Sequence, residues 1–287
     1  MVQLPAGVRS LAARGEDWAA WVGELPRAVS RLLDGWDLRP DGDPVAGSSS
    51  IGYPVRTAEN TPAMLKVSSP GADSEQAHLV LRRWNGDGAV RLLRADPPRR
   101  ALLLERLRTQ TLDALPDIDA CEVVARLYRR LHVPPLPQLP TLTSLLERWA
   151  ADLGRLPRSA PIPHRLVEQA IALCRDLSAE PAATVLHGDL HYRHVLAADR
   201  ETWLAVAPKP INGDPHYELA PMLWHRWDEL AGYVRDGVRR RFSTLVETAG
   251  LDDDRARAFV VVRVVREATG DPSNATKYVA LAKAVQD

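Results

Sequence analysis

Residues 187–194 read His-Gly-Asp-Leu-His-Tyr-Arg-His, and this octet decides the fold. It places three histidines and one aspartate in a single short loop between two apolar pairs, Val185-Leu186 and Val195-Leu196. Histidine exchanges protons near neutral pH, and a neighbouring carboxylate can fix its tautomer. The pattern therefore predicts a proton-transfer site in this loop, within a short β insert that spans residues 185–206.

The composition excludes several classes of protein. The 37 basic and 37 acidic residues give a formal net charge of +0, so no general attraction to nucleic acids or anionic membranes is expected. No segment has the apolar length of a membrane span or the pattern of a secretory signal, which predicts a cytoplasmic protein. Cys121 and Cys174 each lie in an apolar helical pattern, which favours buried packing. We expect a small-molecule substrate as partner, while the oligomeric state stays open.

The first 107 residues predict a small lobe of mixed helix and strand. The expected elements are, in order, a helix over 16–36, strands at 50–55 and 63–67, a helix over 72–84, and strands at 90–94 and 101–105. Pro26 lies inside the first helical pattern and is expected to end or kink that helix. The two central strands are expected to pair in antiparallel orientation.

From residue 108 onward the sequence is almost wholly helical apart from the β insert. Amphipathic periodicity predicts helices over 117–132, 141–156, 163–179, 217–233, 235–249, 252–268 and 273–286. The change in pattern predicts two domains, 1–107 and 108–287. A run of prolines over 134–140 is expected to form a stiff connection between two of the helices.

The octet matches the catalytic-loop motif H-x-D-L-x-x-x-N except at its last residue, where His194 replaces Asn. Further matching segments are Leu65-Lys66-Val67, Leu81 to Gly86, Ala101 to Leu107, Trp203 to Pro210 and Gly213 to Leu223. On these segments the chain resembles the streptomycin 6-kinase and hydroxyurea phosphotransferase family of the aminoglycoside phosphotransferase superfamily. The resemblance implies an α+β, two-lobed protein-kinase-like fold, with a small β-rich N-lobe, a large helical C-lobe and a central cleft.

The resemblance also implies roles for individual residues. Asp189 would be the general base for an acceptor hydroxyl, and His187 would brace the loop. Lys66 would reach the phosphates of ATP, and Glu105 would belong to the same cofactor-binding site. Asp214 would accept backbone hydrogen bonds beneath the loop.

Three departures from the family pattern affect the nucleotide site. Relatives carry Leu-Ala-Ile-Asp-Pro-Lys where this chain has residues 204–209, so Ala207 replaces an Asp that binds magnesium. His194 replaces an Asn that also binds magnesium, and Ala77 replaces a Glu that pairs with Lys66. Magnesium prefers oxygen ligands, which neither methyl nor imidazole provides. Losing one group that stabilises transition-state charge costs about 10²–10³-fold in rate.

We therefore expect a degenerate phosphotransferase whose cleft binds or transforms a small metabolite by acid/base chemistry, without magnesium-ATP, in bacterial secondary metabolism. The candidate catalytic residues are Asp189, His194, His191 and His187. The candidate substrate-binding residues are Tyr192, Tyr217, Trp224 and Trp227, whose rings could stack on a ligand. No metal ligands are predicted, because the spacing of the histidines gives no convincing set of three.

Two alternatives remain open. One is an active ATP-dependent O-phosphotransferase that confers resistance to an antibiotic such as streptomycin or hydroxyurea. It would use ATP and magnesium, with a compensating metal site or with Ala207 as an engineered change. The other is a non-catalytic binding pseudokinase. Under the main interpretation the protein needs no cofactor.

Overall fold

The structure, a computed structural model, describes residues 4–71, 74–179 and 183–286. The chain divides into two compact units, Met1–Arg108 and Thr109–Asp287. The first residues of the helix predicted over 72–84 lie outside the described part.

An antiparallel sheet forms the framework of the N-terminal unit. Its strands are β1 (Arg39–Pro40), β2 (Val45–Ala46), β3 (Ser50–Arg56), β4 (Pro62–Ser68), β5 (Leu92–Asp96) and β6 (Ala101–Glu105). The order is β1-β3-β4-β6-β5, and β2 also pairs with β3. Ile51 pairs with Val67 and Val55 with Ala63, as expected for the two central strands. Alternate residues of β3 are buried, so one face of the strand packs on a core.

The helices of this unit are α1 (Ala6–Arg9), α2 (Glu16–Gly35) and α3 (Ala77–Trp84), with a 3₁₀ turn at Ser10–Arg14. The prediction that Pro26 ends the helix is wrong, because α2 continues through it. Burial explains the difference. Leu25, Val29 and Leu32 pack in one cluster with residues of the sheet. Each buried side chain of this size contributes about 1.5–3 kcal/mol, which together offset the roughly 3 kcal/mol that an internal proline costs.

The C-terminal unit is mainly helical. Its helices are α4 (Asp117–Leu131), α5 (Leu142–Gly154), α6 (His164–Ser178), α7 (Ala220–Trp224), α8 (Val234–Ala249), α9 (Asp253–Gly270) and α10 (Ala275–Gln286). They pack chiefly as the pairs α5 with α6, α9 with α10, and α4 with α8. Cys121 in α4 and Cys174 in α6 are fully buried, as expected. Among the described residues, no helix combines the length and the apolar character that a bilayer crossing requires.

The single helix predicted over 217–233 is wrong. The chain instead forms a 3₁₀ turn at Pro215–Leu219, the short helix α7 and a second turn at Trp227–Leu230. The break lies at Arg226, which has a left-handed backbone with φ of 51°. Arg241, whose side chain is fully buried, donates to the carbonyl oxygens of His225 at 2.7 Å and Arg226 at 3.2 Å. A buried cation thus satisfies carbonyl groups that a continued helix would have paired.

Two small sheets interrupt the helices and carry the loop of the opening octet. β7 (Thr184–Leu186) pairs with β10 (Ile211–Gly213), and β8 (Val195–Ala197) pairs with β9 (Trp203–Ala205). The 187–194 loop connects β7 to β8, and residues 206–210 connect β9 to β10. The pairing of the strands therefore brings these two connecting segments side by side.

Candidate active site

The 187–194 loop is joined to the neighbouring 206–210 segment by backbone contacts. The Val206 N–H donates to the His194 carbonyl at 2.9 Å, and the Lys209 N–H donates to the His187 carbonyl at 2.8 Å. Gly188 has a φ of 82°, and a Cβ added there would lie 2.2 Å from the Lys209 carbonyl oxygen. Only glycine fits that conformation and that spacing. The close approach of the two segments therefore depends on Gly188.

Glu218 holds the start of the loop in place through hydrogen bonds to its backbone. Its fully buried carboxylate accepts the backbone N–H groups of His187 at 2.5 Å and Gly188 at 3.1 Å. Burial by itself would raise the pKa of this carboxyl, but the nearby His132 and the bonds from the loop outweigh burial and hold the pKa below its usual value. The anchor is therefore an ionised carboxylate that accepts two charge-assisted hydrogen bonds.

Arg263 in α9 is a second buried anchor. It donates to the Gly188 carbonyl at 3.1 Å and to the Tyr217 carbonyl at 3.0 Å, and its guanidinium lies 4.0 Å from the centre of the Tyr217 ring. The sequence analysis missed Arg263 and Glu218. Each is a charged residue flanked by apolar residues in the sequence. Because buried charges are rare unless they are paired, that pattern could have indicated a buried charge with a structural partner.

His187 braces the loop and is too deeply buried for direct chemistry. Its side chain donates through Nε2 to the Val206 carbonyl at 2.9 Å, and its Nδ1 accepts the Asp189 N–H at 3.3 Å. Burial lowers the pKa of His187 to about 4, so the ring is neutral at physiological pH. The structure thus gives this predicted catalytic candidate a bracing position only.

Asp189 presents its carboxylate beside the 206–210 segment. Its Oδ2 lies 3.0 Å from the Lys209 ammonium, and 15% of the side chain is exposed. Burial by itself would raise the pKa of Asp189, but Lys209 and His194 outweigh that effect and the pKa lies below its ordinary value. The carboxylate is therefore ionised, which is the form that accepts a proton.

Three histidine rings lie in a row beside Asp189, with His191 stacked on His225 and tilted by 38° against His194. The His191 ring centre lies 3.7 Å from that of His225 and 4.0 Å from that of His194. His194 donates through Nδ1 to the Asp189 carbonyl oxygen at 2.7 Å. Burial and the positive charge of its histidine neighbours lower the pKa of His191 far below its usual value. Asp189, His191 and His194 each place one ligand atom within 4.8 Å of the others, a grouping that sequence spacing did not reveal.

The family's two magnesium-binding positions hold residues that do not fit this ion. Ala207 offers a methyl group, and His194 offers an imidazole nitrogen where hard magnesium requires oxygen ligands. Ala207 nevertheless has a left-handed backbone with φ of 56°, a conformation in which Asp and Asn are enriched. The backbone at Ala207 thus has a conformation that suits an aspartate or asparagine.

A cavity of about 470 Å³ lies along the same loop. Its lining includes Tyr192, Trp224, Trp227, Asp228, Glu229 and Lys277. Three of the four predicted substrate-binding aromatic residues therefore reach this cavity. Tyr217 does not, because it packs in a core cluster against Phe259 and Trp149. The Tyr192 hydroxyl donates to Asp117 at 2.5 Å, which fixes this part of the cavity wall.

Lys66 and Glu105, the predicted nucleotide-binding residues, lie in the N-terminal unit. Lys66 is on β4, opposite Gly52 on β3 and Leu102 on β6. Glu105 ends β6, and its Oε1 accepts the N–H of Arg91 at 2.7 Å. Ala77 is buried at the start of α3, a position where the resemblance implies a glutamate.

Comparisons with known proteins identify the family of the chain. The family model described as aminoglycoside/hydroxyurea antibiotic resistance kinase matches residues 35–270. The chain is 39% identical over 282 residues to streptomycin 6-kinase of Streptomyces glaucescens, covering 94% of this chain and 91% of that protein. It is 37% identical over 277 residues to hydroxyurea phosphotransferase of Kitasatospora aureofaciens, covering 93% and 79%.

Solved structures support the fold. Choline kinase LicA from Streptococcus pneumoniae matches with a TM-score of 0.62 at 11% identity, covering 92% of this chain and 99% of that one. Macrolide 2'-phosphotransferase type I matches with a TM-score of 0.57 at 18% identity, covering 90% and 95%. The predicted protein-kinase-like fold, with a β-rich N-terminal part and a helical C-terminal part, is confirmed. The chain belongs to the family of aminoglycoside/hydroxyurea antibiotic resistance kinases.

Proposed function

We propose that this protein phosphorylates a hydroxyl group of a small antibiotic, with Asp189 as the general base. The observation that carries the proposal is the anchored and ionised carboxylate of Asp189. The loop before it is held by Glu218 and Arg263, so its position does not depend on a bound ligand. A fixed base near a hydroxyl contributes about 10²–10⁴-fold to proton transfer.

The acceptor is proposed to bind in the cavity beside the loop. Trp224 and Trp227 provide aromatic surfaces, and Asp228 provides an exposed carboxylate, whereas Glu229 is paired with Arg226. This combination suits a hydroxylated molecule that also carries a cationic nitrogen group. The relatives named for streptomycin and hydroxyurea make these two compounds the first acceptors to test.

ATP is the proposed phosphoryl donor, because the similar proteins are named as kinases and phosphotransferases. The residues at 194 and 207 do not fit magnesium, so we derive no step through that ion. We expect slow transfer, because the groups that would neutralise phosphate charge at these positions are missing.

Acid/base chemistry without a nucleotide, the main expectation from the sequence, is not supported. The relatives are named for phosphoryl transfer. His187 and His191 are buried, and burial lowers the pKa of both rings. Rings with such low pKa values are weak bases and carry no imidazolium proton near neutral pH, which removes the main chemical reason for that hypothesis.

A second candidate function is antibiotic binding without turnover. The methyl group of Ala207 and the ion pair between Lys209 and Asp189 favour it. An ammonium group paired with the base competes with an incoming hydroxyl for the same carboxylate oxygen. Under this alternative the cavity would bind the acceptor, and no product would form.

The test is a transfer assay with ATP, streptomycin or hydroxyurea, and either Mg²⁺ or Mn²⁺, followed by mass spectrometry of the acceptor. We expect a phosphorylated acceptor from the natural chain and about 10²–10⁴-fold less from Asp189→Asn. Asp228→Asn is the matched control, because it removes a cavity carboxylate and should raise KM with little change in kcat. Equal rates for Asp189→Asn and the natural chain would contradict the proposed base. Calorimetric binding of the acceptor without product would favour the binding alternative.

A further inference from the structure

We propose that Asp189, His191 and His194 form a binding site for a transition-type divalent cation of the Zn²⁺ class. This site goes beyond the phosphoryl transfer proposed above and does not depend on it. One carboxylate and two imidazoles match the donor types that zinc takes in sites with three protein ligands. The family's magnesium-binding pattern includes position 194, but neither that pattern nor the names of the relatives assigns Asp189 and His191 to an ion.

The three side chains already lie close together. One ligand atom from each lies within 4.8 Å of the other two. Zinc binds nitrogen and oxygen at about 2.0–2.2 Å, so two ligands of one ion lie at most about 4.2 Å apart. On His194 the nitrogen that lies 3.7 Å from Oδ2 of Asp189 is Nδ1, so side-chain rotations are needed to bring the three ligand atoms to coordination distance.

The surroundings orient the two imidazoles. His194 donates its Nδ1 proton to the Asp189 carbonyl, which places the lone pair of this ring on Nε2. A backbone carbonyl that holds one ring nitrogen is the usual partner of a metal-binding histidine. His191 is held by the stacked His225 ring, and its Nδ1 accepts only a long 3.3 Å bond from the Arg193 N–H. That bond is weak, so coordination can replace it at small cost.

The residues at positions 194 and 207 both reduce the number of oxygen ligands near Asp189. Where the resemblance implies an amide oxygen and a carboxylate, this chain carries the imidazole of His194 and the methyl group of Ala207. Oxygen ligands suit magnesium, whereas imidazole suits zinc, copper, iron and nickel. The same two substitutions that remove the fit to magnesium thus leave a nitrogen-rich set around Asp189.

Lys209 lies next to the proposed site and opposes cation binding. Its ammonium is 3.0 Å from Oδ2 of Asp189, so it competes for the carboxylate and repels a divalent ion. We therefore expect Lys209→Met to bind Zn²⁺ at least tenfold more tightly than the natural chain. Such an increase in Zn²⁺ affinity would distinguish a site at Asp189 from metal binding elsewhere on the surface.

The test uses the untagged full chain, stripped with a chelator and free of nucleotide and antibiotic. We measure Zn²⁺ binding by calorimetry and Co²⁺ binding by its visible ligand-field absorption. The expected result is one Zn²⁺ per chain, with no heat from Mg²⁺ at the same concentration. His191→Asn and His194→Asn should each weaken Zn²⁺ binding at least tenfold. His194→Asn introduces the residue of the family pattern, and circular dichroism checks that each variant is folded.

The matched control is His164→Asn, because His164 lies 3.3 Å from Glu168 on an exposed helix face and could bind ions weakly. This variant should bind Zn²⁺ like the natural chain. The proposal is overturned if the natural chain binds no Zn²⁺, or if His191→Asn and His194→Asn bind it unchanged. Because no phosphoryl acceptor is present, failure of the transfer assay leaves this result unaffected.

Discussion

The start and the end of the 187–194 loop differ in what holds them in place. At the start, buried Glu218 and Arg263 bind the backbone of His187 and Gly188. At the end, His194 and the adjacent Ala207 are partly exposed, and the resemblance to the family implies magnesium ligands at these two positions. Removing a partner of a buried charge costs about 3–5 kcal/mol, while a change at a partly exposed position costs much less. The requirement for a stable fold therefore conserves the residues that hold the start of the loop. The residues at its end would be conserved only by selection for magnesium binding.

The largest expected effect comes from restoring the two oxygen ligands with Ala207→Asp and His194→Asn together. Each restored ligand should return about 10²–10³-fold in rate, so the pair should raise magnesium-dependent kcat/KM by about 10⁴-fold or more. Transfer assays at varied Mg²⁺ measure it. Ala207→Ser with His194→Asn is the control, because it adds an oxygen at position 207 without the charge. A double variant no more active than the natural chain would show that other parts of the site have also changed.

At the start of the loop, Gly188→Ala should destabilise the fold by about 3 kcal/mol or more, because the new Cβ meets the Lys209 carbonyl. Gly250→Ala is the matched control. Gly250 also has a positive φ, of 71°, but an added Cβ there meets nothing within 4 Å. We expect that variant to lose only about 1–2 kcal/mol. Urea unfolding of both variants measures the difference, and equal losses would mean that the contact with Lys209 is not tight.

The buried histidines predict how stability depends on pH. The pKa of His187 is about 4 in the folded chain because of burial, whereas an unfolded histidine titrates near pH 6.5. Between these values the unfolded state binds more protons, so the free energy of unfolding falls as the pH drops from about 6.5 to about 4. For His187 alone the loss is on the order of 3 kcal/mol.

Burial also lowers the pKa of His191 and His225, so both act in the same direction. Urea unfolding at pH 7.5 and pH 5 measures the loss. His187→Gln should show a smaller difference between the two pH values, because it removes one titrating group. A stability that stays constant over this interval would contradict the buried and neutral state of these rings.

The smallest expected effect lies at the end of the loop. Ala207→Gly should stabilise the fold by about 0.5–1 kcal/mol, because glycine relieves the strain of a positive φ. Ala205→Gly, in the regular strand β9, should instead cost about 0.5–1 kcal/mol. Thermal or urea unfolding shows whether each variant is more or less stable than the natural chain. A loss of stability in Ala207→Gly would show that the left-handed conformation is not retained.

Local patterns in the sequence were enough to predict most of the fold. The strand-length segments at 50–55 and 63–67 predicted β3 and β4, and the loop motif predicted the segment around Asp189. Two predictions failed where distant contacts override local preference. Burial of the α2 face carries the helix through Pro26. The helix predicted over 217–233 breaks because Arg241, more than ten residues further along the chain, binds the freed carbonyl groups.

The site was predicted only in part for the same reason. Asp189 and the rings of Trp224 and Trp227 were identified from a motif and from residue type. Glu218 and Arg263 were missed, because their function depends on which backbone groups they reach in three dimensions. The grouping of His191 and His194 with Asp189 likewise depends on how the loop turns, which residue spacing does not specify.

The left-handed backbone at Ala207 also bears on how this chain can evolve. One nucleotide change converts an alanine codon into an aspartate codon, and the conformation at 207 already suits aspartate. A carboxylate can thus return at this position in a single mutational step that needs no rearrangement of the main chain.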